Sequence, residues 1–354
     1  MSDFVKRLPL RVLQVGCGAF GIVHAAAWAR LRPDVAVTVA DIDAERREPL
    51  LQMPGVMRAV GDWEAGLADA DVVDIVTPSP THFDIACHAL EAGCDVFIEK
   101  PVTDTARQAA DIAARAAARG RLVQVGYFFR FHPLALRVRD LLRQGQVGEV
   151  HWIDADFTSL KRPRHDAGVI LNDAVHFLDL VCWLMEQRPV SVTAMTGDRL
   201  GRGLEDRAAL SLAFPGGAIA RISASCLVPG DEPDPVVPGA WSRKRIALTG
   251  DKGQIAADFM TGEIVIWPCR QVGRHDAGGT VWEPQFEPRQ CERLPLPSTE
   301  DVVAAELAHF AACVRERRTP EAAIADAGVG MALLCEALHE AARHPARVAL
   351  EVSA

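Results

Sequence analysis

The fold of this chain is decided by residues 10–21, which read LRVLQVGCGAFG. Residues 10–15 are mostly apolar, which favours a short buried strand. Residues 16–21 match the pattern G-x-G-x-x-G, and the alanine-rich residues 22–31 predict a helix. A strand, a glycine turn and a helix in this order are typical of the site where a dinucleotide pyrophosphate binds, because the helix N-terminus attracts the anion.

The three glycines of this loop have separate tasks. Gly16 makes the tight turn, Gly18 lets the backbone approach the pyrophosphate, and Gly21 allows close packing of the helix. Ala19 and Phe20 lie between them and are expected to contact the cofactor. Since one glycine pattern alone is weak evidence, the interpretation needs a second signal.

An acidic residue after the next predicted strand supplies that signal. Residues 36–40 predict a strand, and Asp41 follows twenty residues after the last glycine of the loop, where this fold places a carboxylate on the adenosine ribose. A carboxylate there repels a 2′-phosphate and Ile42, not an arginine, comes next, so the sequence favours NAD over NADP. Arg46 and Arg47 leave NADP open, although a solvated helix face explains both arginines better.

The composition sets the broad class. The chain has 354 residues, of which 49% are hydrophobic and 24% charged, with a net charge of −9. This is enough for two domains with their own cores, and the acidic balance disfavours nucleic acid as a partner. Residues 1–9 hold no apolar segment of a secretory signal, and no apolar run approaches a bilayer span. We therefore expect a cytoplasmic protein with no membrane partner.

The pattern of predicted elements changes near residue 128. Residues 1–128 alternate strands and helices, which predicts an α/β fold with a doubly wound parallel sheet, an NAD(P)-binding Rossmann domain. Residues 129–354 bring strands together in succession, which predicts an α+β domain with a large, mainly antiparallel open sheet. The terminal helices can pack back on the first domain. The predicted strands of the second domain cover 150–157, 190–196, 208–214, 218–227, 243–248, 254–258 and 263–267, and its predicted helices cover 133–144, 171–185, 302–316 and 325–343.

Six motifs in a fixed order carry a resemblance to a known family. They are GCGAFG at 16–21, TPSPTH at 77–82, EKP at 99–101, RFHP at 130–133, GQVGEV at 145–150 and NDAVHFLD at 172–179. The whole chain resembles the glucose-fructose oxidoreductase, inositol dehydrogenase and MocA (Gfo/Idh/MocA) family of oxidoreductases. The resemblance implies NAD(P)-dependent oxidation or reduction of sugars, cyclitols or related compounds. It also implies a homodimer or homotetramer formed through the C-terminal sheet.

The motif at 77–82 follows a predicted parallel strand, at the edge where ligands bind in such sheets. The resemblance implies that Thr77, Ser79 and His82 contact the cofactor. Relatives more often have asparagine in place of Ser79, which keeps a hydrogen-bonding side chain but puts the contact in doubt. His82 can instead simply begin the next helix.

Lys100 is the first candidate catalytic residue. It lies in the EKP motif at the end of the predicted strand 95–99, and Pro101 restricts the backbone that aims it. The resemblance implies that Lys100 donates hydrogen bonds to the reacting oxygen and stabilises its alkoxide character as hydride leaves for the nicotinamide. Glu99 contacts the cofactor ribose or holds Lys100, and the sequence does not separate these roles.

His176 is the candidate acid/base. Asn172, Asp173 and Asp179 lie three or four residues away on a predicted helix, so they share or flank one face with it. A histidine is suited to taking a hydroxyl proton at neutral pH, and a nearby carboxylate can orient it. The resemblance supports this role, with a core histidine satisfied by its neighbours as the alternative.

The residues before His176 depart from the commonest family pattern. Many relatives place an aspartate four residues before this histidine, whereas this chain has Asn172 there and Asp173 next to it. Asparagine cannot act as a base but can bind a substrate hydroxyl. Asp173 projects about 100° around the helix from Asn172, and its role in substrate binding is left open.

Basic residues elsewhere are candidates for substrate binding. Arg130 follows the last strand of the first domain and can bind a carboxylate or phosphate, or form a salt bridge at the domain hinge. Lys161 and Arg164 belong to the basic loop 161–166, which can recruit an anionic substrate. A solvated loop is the alternative for that charge.

No His-Glu-x-x-His or similar cluster occurs, so the sequence predicts no metal site. The leading interpretation is an NAD-dependent dehydrogenase of a sugar, sugar-derivative or cyclitol secondary alcohol. One alternative is a hydrolase or isomerase that retains NAD and uses transient oxidation. The other is a catalytically silent regulator that binds the cofactor.

Overall fold

The fold is given by a computed structural model that describes residues 8–276 and 279–344. Within these residues the chain divides into two compact units. Unit 1 comprises residues 8–132 and 297–333, and unit 2 comprises residues 133–296 and 334–344. Each unit therefore draws on two separated segments of the sequence. The domain boundary predicted at residues 128 and 129 stays a prediction.

Strands and helices alternate in the first part of the chain and strands dominate later. The strands are β1 (Leu10–Val15), β2 (Val35–Ala40), β3 (Val56–Val60), β4 (Val72–Ile75), β5 (Asp95–Glu99), β6 (Val123–Gly126), β7 (Val150–Leu160), β8 (Ser191–Gly197), β9 (Arg207–Ala213), β10 (Ile219–Ser225), β11 (Glu232–Pro233), β12 (Trp241–Gly250), β13 (Gly253–Asp258), β14 (Glu263–Asp276), β15 (Gly279–Phe286) and β16 (Gln290–Arg293). The helices are α1 (Ala19–Ala29), α2 (Ala44–Arg47), α3 (Glu64–Leu67), α4 (His82–Glu91), α5 (Ala106–Arg119), α6 (Pro133–Arg143), α7 (Val175–Met185), α8 (Thr299–Glu316) and α9 (Val329–Arg343).

The sheet of unit 1 is parallel and has the strand order β3-β2-β1-β4-β5-β6. This is the order of a dinucleotide-binding Rossmann fold, so the prediction of a doubly wound parallel sheet is confirmed. The sequence did not predict β3. Only Val56 and Val60 of that strand are buried, and an edge strand with so few inward side chains has almost no periodic signal.

The core of unit 1 includes a helix from the far end of the sequence. Leu307 and Phe310 of α8 belong to the same apolar cluster as Trp28 of α1 and Phe97 of β5. The rings of Phe97 and Phe310 meet edge to face, with centroids 5.7 Å apart. Burying a side chain of this size stabilises the fold by about 1.5–3 kcal/mol, so α8 is an integral part of unit 1.

The sequence predicts both ends of α5, because Thr105 and Gln108 have the spacing of a capping box and Gly120 is a helix stop signal. In the structure Thr105 and Gln108 form this capping box, in which each side chain accepts the other residue's backbone N–H. Gly120 ends the helix with φ of 60°, a left-handed conformation that glycine adopts without strain. The capping box therefore fixes the place where the loop after β5 ends and α5 begins.

The sheet of unit 2 is mixed but mainly antiparallel. Its strands follow the order β15-β14-β13-β12-β7-β10-β9-β8, with β11 paired to β12 and β16 paired to β14. Only the pair β10 and β7 is parallel within the described residues. The predicted α+β architecture is confirmed. The sequence missed β15 and β16, whose side chains are almost all exposed and lack an apolar alternation.

The predicted helix 171–185 begins differently from an ordinary helix. Residues Ile170–Ala174 form a turn of π-helix, which runs directly into α7. Hydrophobic periodicity does not distinguish a π turn from an α turn, so the sequence predicted one uninterrupted helix. In the described part of the chain, no helix is both long and apolar enough to span a bilayer.

Candidate active site

The glycine loop of unit 1 has the shape that a dinucleotide requires. Gly16 has φ of 107°, and a Cβ there would lie 2.5 Å from the carbonyl oxygen of Val76. A Cβ on Gly21 would lie 2.3 Å from the Gly16 carbonyl oxygen. Gly18 differs, because among the described residues beyond its two chain neighbours no heavy atom lies within 4 Å of the place where its Cβ would be. The backbone is therefore tightly packed at Gly16 and Gly21, and it is accessible at Gly18, where a ligand can approach it.

A buried glutamine that the sequence analysis overlooked holds this loop together. The side chain of Gln14 donates to the carbonyl oxygen of Gly16 at 3.0 Å and to that of Gly21 at 2.8 Å. Gln14 is 0% exposed. A polar residue in an otherwise apolar strand just before a glycine loop is the signal that would have identified it.

The carboxylate of Asp41 lies beside the glycine loop. It accepts the backbone N–H of Cys17 at 2.8 Å and that of Asp43 at 2.9 Å. A carboxylate has about four acceptor positions, so these two bonds leave capacity for ribose hydroxyls. Burial and the neighbouring Asp41 raise the pKa of the Cys17 thiol to about 12, which keeps that thiol protonated. The next residue, Ile42, is 93% exposed and accessible to a ligand.

The loop after β4 is held by one side-chain hydrogen bond within the loop and by another to the loop after β5. The hydroxyl of Thr81 donates to that of Thr77 at 2.7 Å, and the hydroxyl of Ser79 donates to Asp104 at 3.0 Å. Thr77 and Ser79 are therefore present at the carboxyl edge of the parallel sheet, as the sequence predicted for this loop. Their contact with a cofactor stays a prediction.

His82 joins the loops that follow β4 and β5. Its Nε2 lies 2.8 Å from the carbonyl oxygen of Thr77, and its Nδ1 lies 3.0 Å from that of Pro101. The ring is almost fully buried, and this burial lowers the pKa of His82 although the carbonyls oppose the shift. These contacts favour a role in holding the two loops, and direct contact with the cofactor stays a prediction.

Lys100 comes directly after β5 and is half-buried. The Lys100–Pro101 peptide bond is cis. The carboxylate of Glu99 accepts the backbone N–H of Lys100 at 3.1 Å, so the structure contains the contact expected if Glu99 holds Lys100. A Cβ on Gly126 would lie 2.2 Å from Glu99 Oε1, which means that the glycine on the neighbouring strand makes room for this carboxylate.

Arg130 is buried within unit 1. Its guanidinium donates to the carbonyl oxygen of Glu321 at 2.8 Å and lies 5.9 Å from the centre of the Tyr127 ring. This contact ties the end of the first segment to the segment before α9. A part for Arg130 in substrate binding stays a prediction.

In unit 2 the structure brings together three of the predicted substrate residues. The carboxylate of Asp173 pairs with the ammonium of Lys161 and accepts the side-chain amide of Asn172 at 2.9 Å. The side chains of Lys161 and Asp173 are only 9% and 4% exposed. Arg164 instead forms a bidentate pair with Asp166, which raises the pKa of Arg164.

His176 lies near a second buried ion pair. Its ring stacks on Phe157 with centroids 5.7 Å apart, and the ammonium of Lys244 lies 5.2 Å from the centre of the same Phe157 ring. Lys244 also pairs with Asp234 at 2.8 Å. Burial works against the charge of Asp234, but Lys244 and Ser242 outweigh it and lower the pKa of Asp234 to about 2. The Asp234 carboxylate is therefore ionised at neutral pH, whereas burial lowers the pKa of Lys244 although Asp234 opposes this shift.

Lys244 and Asp234 were missed by the sequence analysis, although one signal was available. In β12 the residues at even positions from 242 to 250 are buried. Lys244 occupies one of these inward positions between Ser242 and Ile246. A lysine at an inward position of an alternating strand needs a buried partner, and this requirement identifies it. Asp234 has no such signal, because it lies in an irregular proline-rich loop.

Metal ions are commonly bound by histidine, cysteine, aspartate and glutamate side chains. Among residues 8–276 and 279–344, no three such side chains are arranged to hold a metal ion.

Two protein-family models match the chain. One is described as "Oxidoreductase family, NAD-binding Rossmann fold" and matches residues 10–127. The other is described as "GFO/IDH/MocA C-terminal domain" and matches residues 135–256. The first match covers the sheet of unit 1 with its glycine loop, and the second covers the His176 helix and most of the sheet of unit 2.

Characterised proteins are similar over most of the chain. The UDP-N-acetylglucosamine 3-dehydrogenase of Acidithiobacillus ferrooxidans is 28% identical over 316 residues, covering 87% of this chain and 90% of that protein. The scyllo-inositol 2-dehydrogenase (NAD(+)) of Bacillus subtilis is 25% identical over 342 residues, covering 91% of each chain. A solved structure of the Acidithiobacillus ferrooxidans enzyme superposes with a TM-score of 0.78 at 26% identity, covering 95% of this chain and 98% of that one.

Proposed function

This chain belongs to the Gfo/Idh/MocA family of oxidoreductases, and we propose that it is an NAD-dependent dehydrogenase of a sugar, sugar-derivative or cyclitol secondary alcohol. The observation that carries the proposal is in unit 1, where one parallel sheet holds an open glycine loop, the Asp41 carboxylate and Lys100. The relatives named for a UDP-sugar and an inositol support a polyhydroxylated substrate.

The cofactor proposal rests on Asp41 and its neighbours. Bound NAD supplies the hydride acceptor of the reaction. The Asp41 carboxylate accepts the ribose hydroxyls and repels a 2′-phosphate. Arg46 lies 3.2 Å from an oxygen of Asp43, and Arg47 donates to the Asp41 carbonyl oxygen at 3.0 Å. Both arginines already have partners, which supports NAD over NADP.

Lys100 is proposed to stabilise the reacting oxygen. An ammonium group donates hydrogen bonds to an oxygen more strongly as that oxygen gains negative charge. The bond from the Lys100 backbone to Glu99 and the packing of His82 against the Pro101 carbonyl support a fixed position for this residue. A lysine held in place loses less by reorganisation when charge develops.

His176 is proposed to take the proton of the substrate hydroxyl. The imidazole is mostly buried, and its stacking on Phe157 fixes the plane of the ring. A histidine exchanges protons near neutral pH, which suits the oxidation of an alcohol to a ketone. During oxidation His176 gains the proton, and during reduction it returns the proton to the oxygen.

We further propose a neutral substrate, bound by the charged pairs of unit 2. Lys161 is matched by Asp173 and Lys244 by Asp234, so the two buried pairs together carry no net charge. Ammonium donors beside carboxylate acceptors suit the hydroxyl groups of a polyol, each of which donates and accepts. Since Arg164 is matched by Asp166 as well, this loop offers less attraction to an anion than its sequence indicates.

We also propose a homodimer or homotetramer formed through the sheet of unit 2. Several large apolar side chains on separate strands of this sheet are exposed, and exposed apolar surface is typical of protein interfaces. These side chains are Met195, Trp241, Val281, Trp282 and Phe286.

A substrate screen tests the proposed function. The purified protein is mixed with NAD or NADP and with inositols, neutral aldoses, sugar acids or UDP-N-acetyl sugars, and NADH is followed by absorbance. We expect net NADH formation from NAD with a neutral polyol, at a rate that depends little on salt. Product without net NADH would indicate the NAD-retaining hydrolase or isomerase, and NAD binding without turnover of any compound would indicate the silent regulator.

A further inference from the structure

Three ionisable side chains meet in the core of unit 1. His24 of α1 and Asp74 of β4 are 0% exposed, and Glu99 at the end of β5 is 6% exposed. The Nδ1 atom of His24 lies 3.0 Å and 3.2 Å from the two carboxylate oxygens of Asp74, and its Nε2 atom lies 3.4 Å from Glu99 Oε1. The indole N–H of Trp28 donates to Asp74 at 2.7 Å.

The geometry assigns a positive charge to His24. Nδ1 is hydrogen-bonded to Asp74, and Nε2 lies 3.4 Å from Glu99 Oε1 in an ion-pair contact without a hydrogen bond, so the ring lies between two carboxylates that favour its cationic form. Burial lowers the pKa of His24, but Asp74 and Glu99 outweigh it and raise that pKa to about 10. The aromatic rings of Phe20 and Phe97 lie 5.1 Å and 5.7 Å from the imidazole, so the charged groups shown to face it are these two carboxylates.

A buried ion cluster is an inefficient way to stabilise a core. Apolar side chains of the same volume usually give equal or greater stability, because charges lose their hydration when they are buried. A buried cluster of one imidazolium on α1 and two carboxylates on β4 and β5 therefore indicates a function beyond packing. The residues that contact this cluster indicate what that function is.

The cluster leads directly to Lys100. Glu99 contacts His24 through Oε1 and accepts the backbone N–H of Lys100 through Oε2. At its other end, His24 comes three residues after Gly21 on α1, and its ring packs against Phe20 of the glycine loop. The His24 side chain thus contacts both Phe20 of the glycine loop and Glu99, the residue that precedes Lys100.

We propose that His24, Asp74 and Glu99 form a buried charge network that positions Lys100 for its role in catalysis. His24 is a positioning residue: its ring orients the Glu99 carboxylate, and Glu99 in turn fixes the Lys100 backbone. Asp74, which accepts the indole N–H of Trp28, holds the imidazole from the opposite side. The inference rests on the proposed role of Lys100 and goes beyond it.

The test begins with His24→Gln, which removes the charge and keeps a polar side chain. We expect kcat to fall about 10- to 100-fold, with the Kd for NAD changed less than about 3-fold, because a displaced catalytic group costs rate more than binding.

The double variant His24→Gln/Glu99→Gln separates positioning from simple packing. The amide that Glu99→Gln introduces still offers a carbonyl oxygen to the Lys100 N–H but does not titrate. We expect part of the lost kcat to return. The control is Leu307→Ala in the apolar core of the same unit, which should lower the Tm and leave kcat unchanged.

Gly126→Ala provides a second route if His24→Gln does not fold. The added Cβ would lie 2.2 Å from Glu99 Oε1 and displaces the carboxylate without removing a buried charge. We expect a lower kcat at unchanged affinity for NAD. Wild-type kcat in a folded His24→Gln or Gly126→Ala variant would overturn the inference, provided that Lys100→Ala is inactive. Activity retained by Lys100→Ala would instead overturn the proposed function.

Discussion

At the scale of residues, we propose that the Asp41 carboxylate discriminates between NAD and NADP, which differ by a single phosphate. Both of its oxygens accept backbone N–H groups, so it is fixed beside the glycine loop and cannot turn away from a 2′-phosphate. We expect Asp41→Ala to weaken NAD binding and to raise the affinity for NADP relative to NAD by about 10- to 100-fold, because repulsion and a ribose contact are lost together.

The measurement for Asp41 is the pair of dissociation constants for NADH and NADPH, obtained by fluorescence titration. The matched control is Asp69→Asn, an exposed carboxylate of the same unit that pairs only distantly with Arg58. It should leave both constants unchanged. An unchanged ratio of the two constants in Asp41→Ala would rule out Asp41 as the determinant of cofactor choice.

Candidate functional residues that lie in a motif were easier to predict from the sequence than the residues that they contact. Lys100, Glu99 and His176 stand out because a motif surrounds them, and Asn172 and Asp173 follow from their place on one helix. The ion pair of Lys161 with Asp173 brings together residues on different elements, and a sequence pattern does not show which charges become neighbours. The sequence therefore left open whether Lys161 recruits an anion or belongs to a solvated loop, and the structure pairs its ammonium with Asp173.

At the scale of elements, the glycine loop depends on the strand before it. Gln14 ties the two ends of the loop through bonds to Gly16 and Gly21. We expect Gln14→Leu, of similar volume, to leave two carbonyls without their donor, to cost about 1–3 kcal/mol of stability, and to weaken NAD binding about 10-fold. Calorimetric titration with NAD and denaturant unfolding measure the two effects.

The control for Gln14 is Gln254→Leu on β13 of unit 2, whose side chain donates to the hydroxyl of Thr249 at 3.0 Å. It should reduce stability by a smaller amount and leave NAD affinity as it is. If Gln14→Leu bound NAD like the wild type, the loop would hold its shape without the buried amide.

Helices and strands with one buried face were predictable from the sequence, and those without a buried face were not. The strands β1, β5 and β13 and the capped helix α5 have clear periodicity or caps, and they lie close to where the sequence places them. The exposed strand β15 and the π turn Ile170–Ala174 have no such signal. Backbone pairing alone makes β15 a strand, and pairing partners are not written in a local pattern.

At the scale of the whole molecule, the alternation of elements was enough to predict a parallel sheet followed by a mainly antiparallel one. It was not enough to assign α8, which lies after residue 296 and shares the core of unit 1. Its apolar face fits any partner of suitable shape, so only tertiary packing decides where it belongs. The resemblance to the Gfo/Idh/MocA family, which six motifs carry, was confirmed by two family models that match residues 10–127 and 135–256.

The central claim is that Lys100 acts on the reacting oxygen of an NAD-dependent oxidation. The most direct test is NADH formation in a single turnover by the wild type, by Lys100→Ala and by the control Lys252→Ala, an exposed lysine of unit 2. We expect the rate of Lys100→Ala to fall by about 100-fold or more with a similar Kd for NAD, and Lys252→Ala to match the wild type. Wild-type NADH formation by a folded Lys100→Ala would contradict the account.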